Sequence, residues 1–476
     1  MIPRSAGRWL KRRQAALSHS GPQTGPDLPA GEIRGQVTEE GADMDGSLVT
    51  EEERLETVRD RAREVLAPAM VEFVKWILRS AGERNIRRIY FLARDGWPMY
   101  RAARILGRDV EPAVDCRYFC CSRYALRIPC FHLMDKREIA DQVCVGGVDV
   151  TLRKILKRGG LDEKEAERTA EVMGMREELD RVLPYREILR LRESLLEGEL
   201  FWRYVYSHAA KAYDTAASWI AQEGFLEPVR CAVADSGWTG SMQLTLKRLL
   251  ESMNYRGKLE GFYYGLYHIP EQADPRDYHA YYFGPDGKIR RKVYFSNSLF
   301  ECVFSQPEGM CVGYGRTKEG MAPVREKGRP ENRALLTCVT EAVEEQAGEE
   351  RKELAERTLD WHIQDPGTAQ RNLARLMGSP TREEAEAFGG MAFSDDVLDA
   401  DQTLAAPLSE EQIRENRFLA RGLSRVGLRR DPVHESAWME GSILLCGRHV
   451  RRHLWHNRLY KYALYYRKQM GERRKR

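Results

Sequence analysis

Two short polar turns, each between an apolar run and a helix-like stretch, hold the residues best suited to chemistry. In the first, Ile89-Tyr90-Phe91-Leu92-Ala93 runs into Arg94-Asp95-Gly96. In the second, Cys231-Ala232-Val233-Ala234 runs into Asp235-Ser236-Gly237-Trp238-Thr239-Gly240-Ser241. An Arg side chain grips phosphate or carboxylate with parallel N–H donors, and a helix start favours an anion. Glycine lets the backbone approach a ligand closely, and successive N–H groups in a turn make a nest for negative charge. Arg94, Gly96, Ser236, Gly237, Thr239, Gly240 and Ser241 are therefore the expected anion-binding set. Arg123, behind Ser122 at another strand end, would close the same pocket from the side. Asp95 and Asp235 supply carboxylates for acid–base work or for ligating Mg²⁺. A purely structural reading competes with this one. In it Asp95 caps a helix, Arg94 pairs with it, Arg123 makes an ion pair, and the second turn is a tight strand-to-helix connection.

The turns act together only if one sheet brings them side by side. Short apolar runs bounded by glycine read as buried parallel strands, whose ligands lie beyond the carboxyl ends. Strands are expected at 87–93, 116–121, 230–234, 259–267, 281–283 and 293–295. Thr50-Glu51-Glu52-Glu53 has capping-box spacing, and Leu55, Val58, Ala62 and Val65 follow on one face of a helix reaching about Arg79. From 135 to 222 the pattern is helical and charged, broken at Gly159-Gly160 and Pro184, as expected of an insertion between two strands. Helical spacing dominates again from 331, with capping boxes at Thr381 and Ser409. The expected fold is α/β, a mostly parallel Rossmann-like or phosphoribosyltransferase-like sheet with a large helical insertion and a helical C-terminal region. Residues 1–49 read as a disordered tail, 50–330 as the core domain, and 331–476 as the C-terminal region with a basic tail.

Over 476 residues, 42% hydrophobic and 31% charged content are those of a globular chain rather than a disordered one. A net charge of +4 is too small to name a partner class, and no nucleic acid is expected. No apolar stretch is long enough to cross a bilayer; Val65 to Leu78, the nearest, is broken by Glu72 and Lys75. Arg4, Arg8, Lys11, Arg12 and Arg13 have no apolar run behind them, so no secretory signal is expected. Ten cysteines at this length favour a reducing compartment, the cytoplasm. Cys116, Cys120 and Cys121 match no zinc spacing and read as buried small hydrophobes. Glu301, between apolar Leu299, Phe300, Val303 and Phe304, is either an acid–base group or a half-exposed helical Glu. From Arg448 to Arg476 the chain carries eleven Lys or Arg against one Glu, with Trp455, Leu459, Tyr462 and Tyr466 three and four apart. Such a stripe ordinarily packs on its own domain; the other reading is contact with an anionic membrane surface or nucleic acid.

Three resemblances bear on function. Asp43-Met44-Asp45-Gly46-Ser47-Leu48 is similar to the first motif of the haloacid dehalogenase superfamily, but Val37 to Ala42 cannot form the buried strand that motif needs. The two turns together resemble type I phosphoribosyltransferases, with a strand-Arg-Gly loop for pyrophosphate and a later acidic, Thr-Gly loop for ribose phosphate. Ser236 stands at the second acidic position and the loop before Thr239-Gly240 is short, so this likeness implies a fold and a phosphate site more than that reaction. A fuller resemblance spans about residues 65–450. Ile89 to Gly96, Cys121-Ser122-Arg123, Asp235 to Gln243, Glu301 to Gly309 with Gly313-Tyr314, and Trp438 to Ser442 look like the carboxyl-terminal region of bacterial predicted haloacid-dehalogenase-type hydrolases of surface-polysaccharide loci. Long members carry a dehalogenase-type domain in front, which has no counterpart here, so the hydrolase activity does not transfer with the likeness. The resemblance implies a bacterial enzyme-like protein, hydrolase or transferase, binding a phosphorylated sugar, nucleotide-sugar or similar anion. The alternative is a non-catalytic binding or scaffolding partner of glycosyltransferases.

Overall fold

Five parallel strands form the centre of the computed structural model, which describes residues 50–109, 113–146, 150–356, 367–393, 402–425 and 434–475. The expected tail and the Asp43–Leu48 match lie outside these residues. The strands are β1 (Arg88–Leu92), β2 (Asp115–Phe119), β3 (Cys231–Trp238), β4 (Leu259–Leu266) and β5 (Tyr278–Phe283), in the order β2-β1-β3-β4-β5. The chain leaves β1 for β2 on one side and returns to β3 on the other. The crevice between the carboxyl ends of β1 and β3 is therefore the switch point, where ligands bind in open α/β sheets.

Strand alternation divides the interior into two cores. Ile89 and Phe91, Ala232 and Ala234, and Phe262 and Tyr264 point to one face, where helices Ala67–Glu83 and Gly96–Leu106 cover them. Tyr90, Leu92, Cys231 and Val233 point to the other, under helix Ser241–Ser252 and the inserted helices. All five residues of β1 are buried, which explains the unbroken apolar run; burying each large side chain stabilises by about 1.5–3 kcal/mol. The first helix begins where its capping box places it, with Thr50 and Glu53 bonding each other's backbone N–H. Among the described residues the insertion holds five α-helices between Lys136 and Gln222, with breaks at Gly159 and Pro184 as expected. Helix Pro330–Glu356 packs against helices Ala67–Glu83 and Gly96–Leu106, and Leu335, Leu373, Phe388 and Trp438 from beyond residue 331 join the first core. No helix of the described residues is long and apolar enough to cross a membrane.

Three sequence expectations are corrected and one element is added. Strand β3 runs four residues past 234, through Asp235, Ser236, Gly237 and Trp238, because Gly237↔Gly265 and Trp238↔Leu266 continue the pairing with β4. At Gly237 (φ +113°) a Cβ would stand 2.3 Å from the Gly265 carbonyl oxygen, so only glycine allows that register. Residues 293–295 form the end of helix Ile289–Val293 and the turn after it; three bulky residues carry too little period to separate a strand from a buried helix end. An antiparallel hairpin, β6 (Cys311–Thr317) with β7 (Gly320–Arg325), was not anticipated. Finally, helix Val450–Lys475 turns its Trp455–Tyr466 stripe outward. Its docked face is instead polar and aromatic. Lys461 Nζ donates to the buried Glu440 at 2.6 Å, and Tyr465 stacks on Tyr267 at 5.4 Å. Periodicity reveals a stripe but not which side of the helix the domain takes.

Candidate functional site

Three helices begin at the carboxyl edge of the sheet around one cavity of about 220 Å³. After β1, Ala93, Arg94 and Asp95 turn directly into helix Gly96–Leu106. After β2, Ser122 caps helix Arg123–Cys130, accepting from Ala125 N at 2.9 Å and donating to the Cys311 carbonyl at 2.6 Å. After β3, Thr239 and Gly240 lead into helix Ser241–Ser252. Each helix start carries partial positive charge from unpaired N–H groups. Arg94, Arg123, Arg127, Arg158 and Arg329 all line the same cavity, with Arg158 Nη1 donating to the Val145 carbonyl at 2.7 Å. The charges of Arg94 and Arg123 are the ones felt by its carboxylates.

Asp95, Asp235 and Glu301 supply the opposing charge. Asp95 stands at the N-cap position yet makes no capping bond to the helix behind it. Its carboxylate instead accepts from Ser236 Oγ, across from β3. The capping alternative for Asp95 therefore fails. Burial pushes the Asp95 carboxyl above its ordinary range, against the pull of Ser236 and the guanidinium of Arg94. Asp235 is pushed up further, by burial and then by the neighbouring Asp95 and Glu301. Glu301 is raised to about 7, first by burial and then by Asp95. Glu301 Oε1 accepts from Trp238 Nε1 and lies 3.8 Å from Arg123 Nη2, which leaves Oε2 to carry a proton. Trp238 is itself held among Phe283, Phe295 and Phe300, so Glu301 is oriented by the first core.

Of the residues singled out by sequence, Arg94, Asp95, Arg123, Asp235, Ser236, Gly237, Thr239 and Ser241 all line this cavity. Gly96 and Gly240 do not. A Cβ at Gly96 would come within 2.9 Å of the Phe91 carbonyl carbon, and one at Gly240 (φ +60°) within 2.5 Å of the Tyr278 ring. Both glycines serve packing and chain direction rather than ligand contact. Thr239 Oγ1 and Ser241 Oγ lie 3.2 Å apart at the rim. Sequence reasoning missed Arg127, Arg158 and Arg329 and undervalued Glu301. Arg127 lies one helical turn after Arg123, and Glu301 sits in an apolar run; those were the available signals. Arg158, on the inserted helix Leu152–Arg158, and Arg329, after the hairpin, reach the cavity only through tertiary folding.

A second cavity of about 650 Å³ adjoins the first across a shared wall of Arg94, Glu301, Met310 and Arg329. Its other side is built by the loop Ser305–Gly309 and by Glu326 to Asn332. Volumes of this order are those of small-molecule sites. Elsewhere, Glu410, His449 and His453 form the one compact set of three metal-ligand atoms among the described residues. Arg414 already holds Glu410 at 2.6 Å, and burial together with Arg417 brings His453 down to about 4, so the local charge there opposes a cation.

No protein-family model matches this chain, and no curated protein matches it.

Proposed function

We propose that this protein binds a phosphorylated sugar, nucleotide-sugar or related anion in the crevice between β1 and β3 and acts on it by hydrolysis or group transfer. The observation that carries this reading is the convergence of three helix starts and five arginine residues on one cavity that also holds three carboxyl groups. A site built only to hold an anion has no need of Asp95, Asp235 and Glu301 at the same place, because each repels the ligand whenever it is ionised. Carboxylates with raised affinity for protons are, by contrast, what proton transfer near neutral pH requires. In this reading Arg94, Arg123 and the rim hydroxyls of Thr239 and Ser241 hold the anionic group, and Glu301 holds or accepts a proton at Oε2. Asp95, fixed by Ser236, and Asp235 flank the reacting centre. The larger cavity takes the organic remainder of the ligand.

The pair Asp95 and Asp235 also fits Mg²⁺, which is commonly held by one or two carboxylates together with phosphate oxygens and water. When bound, the ion would neutralise phosphate charge and relieve the repulsion between the two carboxylates. The resemblance to proteins of surface-polysaccharide loci supports a bacterial cytoplasmic role in that biosynthesis, beside glycosyltransferases.

The test is a thermal-shift screen of nucleotides, nucleotide-sugars, sugar phosphates and phosphoribosyl pyrophosphate, with and without Mg²⁺, followed by turnover assays on any ligand that stabilises. Stabilisation with turnover, lost in Asp95→Asn and Asp235→Asn variants of unchanged melting temperature, is the expected result. Stabilisation without turnover in the parent protein would favour the non-catalytic partner of glycosyltransferases. No stabilisation by any anion would overturn both.

A further inference from the structure

Trp455, Tyr462, Tyr466 and Met470 are among the most exposed large apolar side chains of the described residues, at 58%, 37%, 60% and 45%. At 3.6 residues per turn they fall within an arc of about 80° on helix Val450–Lys475, so they form one ridge. Leu459 and Ala463 lie on the same side. The opposite side fastens the helix to the domain through buried His453 and Asn457, the Lys461–Glu440 pair and the Tyr465–Tyr267 stack. Arg458 adds a 2.6 Å bond to Ser379 Oγ. The orientation of the ridge is therefore fixed, and it faces outward.

The composition of this face decides what it fits. Arg451, Arg452 and Arg467 are exposed beside the ridge, and no Asp or Glu occurs between Val450 and Gly471. Aromatic, Met and Arg side chains also serve protein interfaces, so it is the unrelieved positive charge beside the ridge that favours an acidic lipid surface. Trp and Tyr, with an apolar body and a polar tip, are the residues favoured at the boundary between lipid headgroups and acyl chains. A helix of this length with such a face and a purely cationic flank lies flat in that boundary, its aromatic residues inserted and its Arg side chains among acidic headgroups.

We propose that helix Val450–Lys475 docks the protein onto the surface of an anionic phospholipid bilayer, through the Trp455–Tyr462–Tyr466–Met470 ridge and its flanking arginines. The attachment is peripheral, and it is independent of the ligand bound between β1 and β3.

Flotation of the full chain with vesicles tests this directly. Vesicles of equal parts phosphatidylcholine and phosphatidylglycerol should carry the protein, and phosphatidylcholine alone should bind roughly tenfold more weakly or not at all. A Trp455→Ala/Tyr466→Ala variant, altered only at exposed positions, should keep its melting temperature and lose roughly tenfold in affinity for the anionic vesicles. An Arg451→Glu/Arg452→Glu variant should lose binding as high salt does, and Asp95→Asn should bind as the parent does. Absence of binding to anionic vesicles, equal binding to both compositions, or binding indifferent to the double aromatic substitution would each overturn the proposal. So would light scattering that shows a dimer of the parent chain converted to a monomer by Trp455→Ala/Tyr466→Ala, which would give the ridge to a second copy.

Discussion

Ser236 donates its hydroxyl to Asp95 across 141 residues of sequence, and so joins the two chain segments that make the anion pocket. The bond crosses from β3 to the turn after β1, at the switch point of the sheet. It restrains a carboxylate that neither its own helix nor its own strand holds.

Replacing Ser236 with Ala should therefore cost more than a surface hydroxyl would. The loss of one hydrogen bond to a charged acceptor amounts to about 1.5–3 kcal/mol, to be read from urea unfolding of the variant. Because Ser236 also pulls the Asp95 carboxyl down, its removal should leave Asp95 protonated to a higher pH. An unchanged unfolding midpoint would show that the two segments are held together by other means.

The raised Glu301 carboxyl predicts a pH dependence of definite sign. Its ordinary value of 4.5 applies to the unfolded chain and about 7 to the folded one, so the folded state binds the proton more tightly. The stability that this preference contributes is complete below about pH 4.5 and is lost as pH rises through about 7. The full effect is at most about 3 kcal/mol, and less in practice because the carboxylate keeps some contact with water. Glu301→Gln should flatten the stability curve between those two pH values. A curve of the same slope in the variant would assign the titration to Asp95 or Asp235.

Two glycine substitutions separate strained from ordinary backbone. Gly237→Ala should destabilise severely, by more than about 2 kcal/mol, because the added carbon meets the Gly265 carbonyl and the residue sits at φ +113°. Gly82→Ala, in helix Ala67–Glu83 with nothing within 4 Å of the added carbon, should stabilise by about 0.5–1 kcal/mol. Paired thermal melts of the two variants check both signs.

Arg94 belongs to the wall common to both cavities, so its loss should be felt by ligands of either. Arg94→Ala should weaken binding of an anionic ligand by roughly 10- to 100-fold, the span expected for a charge-assisted hydrogen bond. Calorimetry at two salt concentrations would read this, with a shallower salt dependence in the variant. Equal affinity would remove Arg94 from the anion-binding set.

Local pattern carried the sheet and failed at its margins. Buried strands such as β1 announce themselves because parallel strands covered on both faces need unbroken apolar runs. The helix at Thr50 was legible from its capping box, whose two reciprocal bonds are entirely local. The extension of β3 was hidden because Asp235 to Trp238 are turn-like residues, and only pairing with β4 makes them strand. The site divided the same way. Arg94, Asp95 and Asp235 lie next to the strands that place them, whereas Arg158 and Arg329 arrive from an insertion and a hairpin whose packing no local spacing encodes. The stripe of helix Val450–Lys475 was visible, but its direction depended on Glu440 and Tyr267, far off in sequence.

The reach of β3 to Trp238 has a consequence for how any guest is received. Backbone that belongs to a hydrogen-bonded ladder has already surrendered its conformational entropy, so the floor beneath Asp235 is rigid before a ligand arrives. The cost of ordering then falls on the exposed lip at Thr239 and on the long arginine side chains. Selectivity among similar anions will accordingly be decided at that pliable perimeter, while the unyielding base fixes where the reactive atom must come to rest.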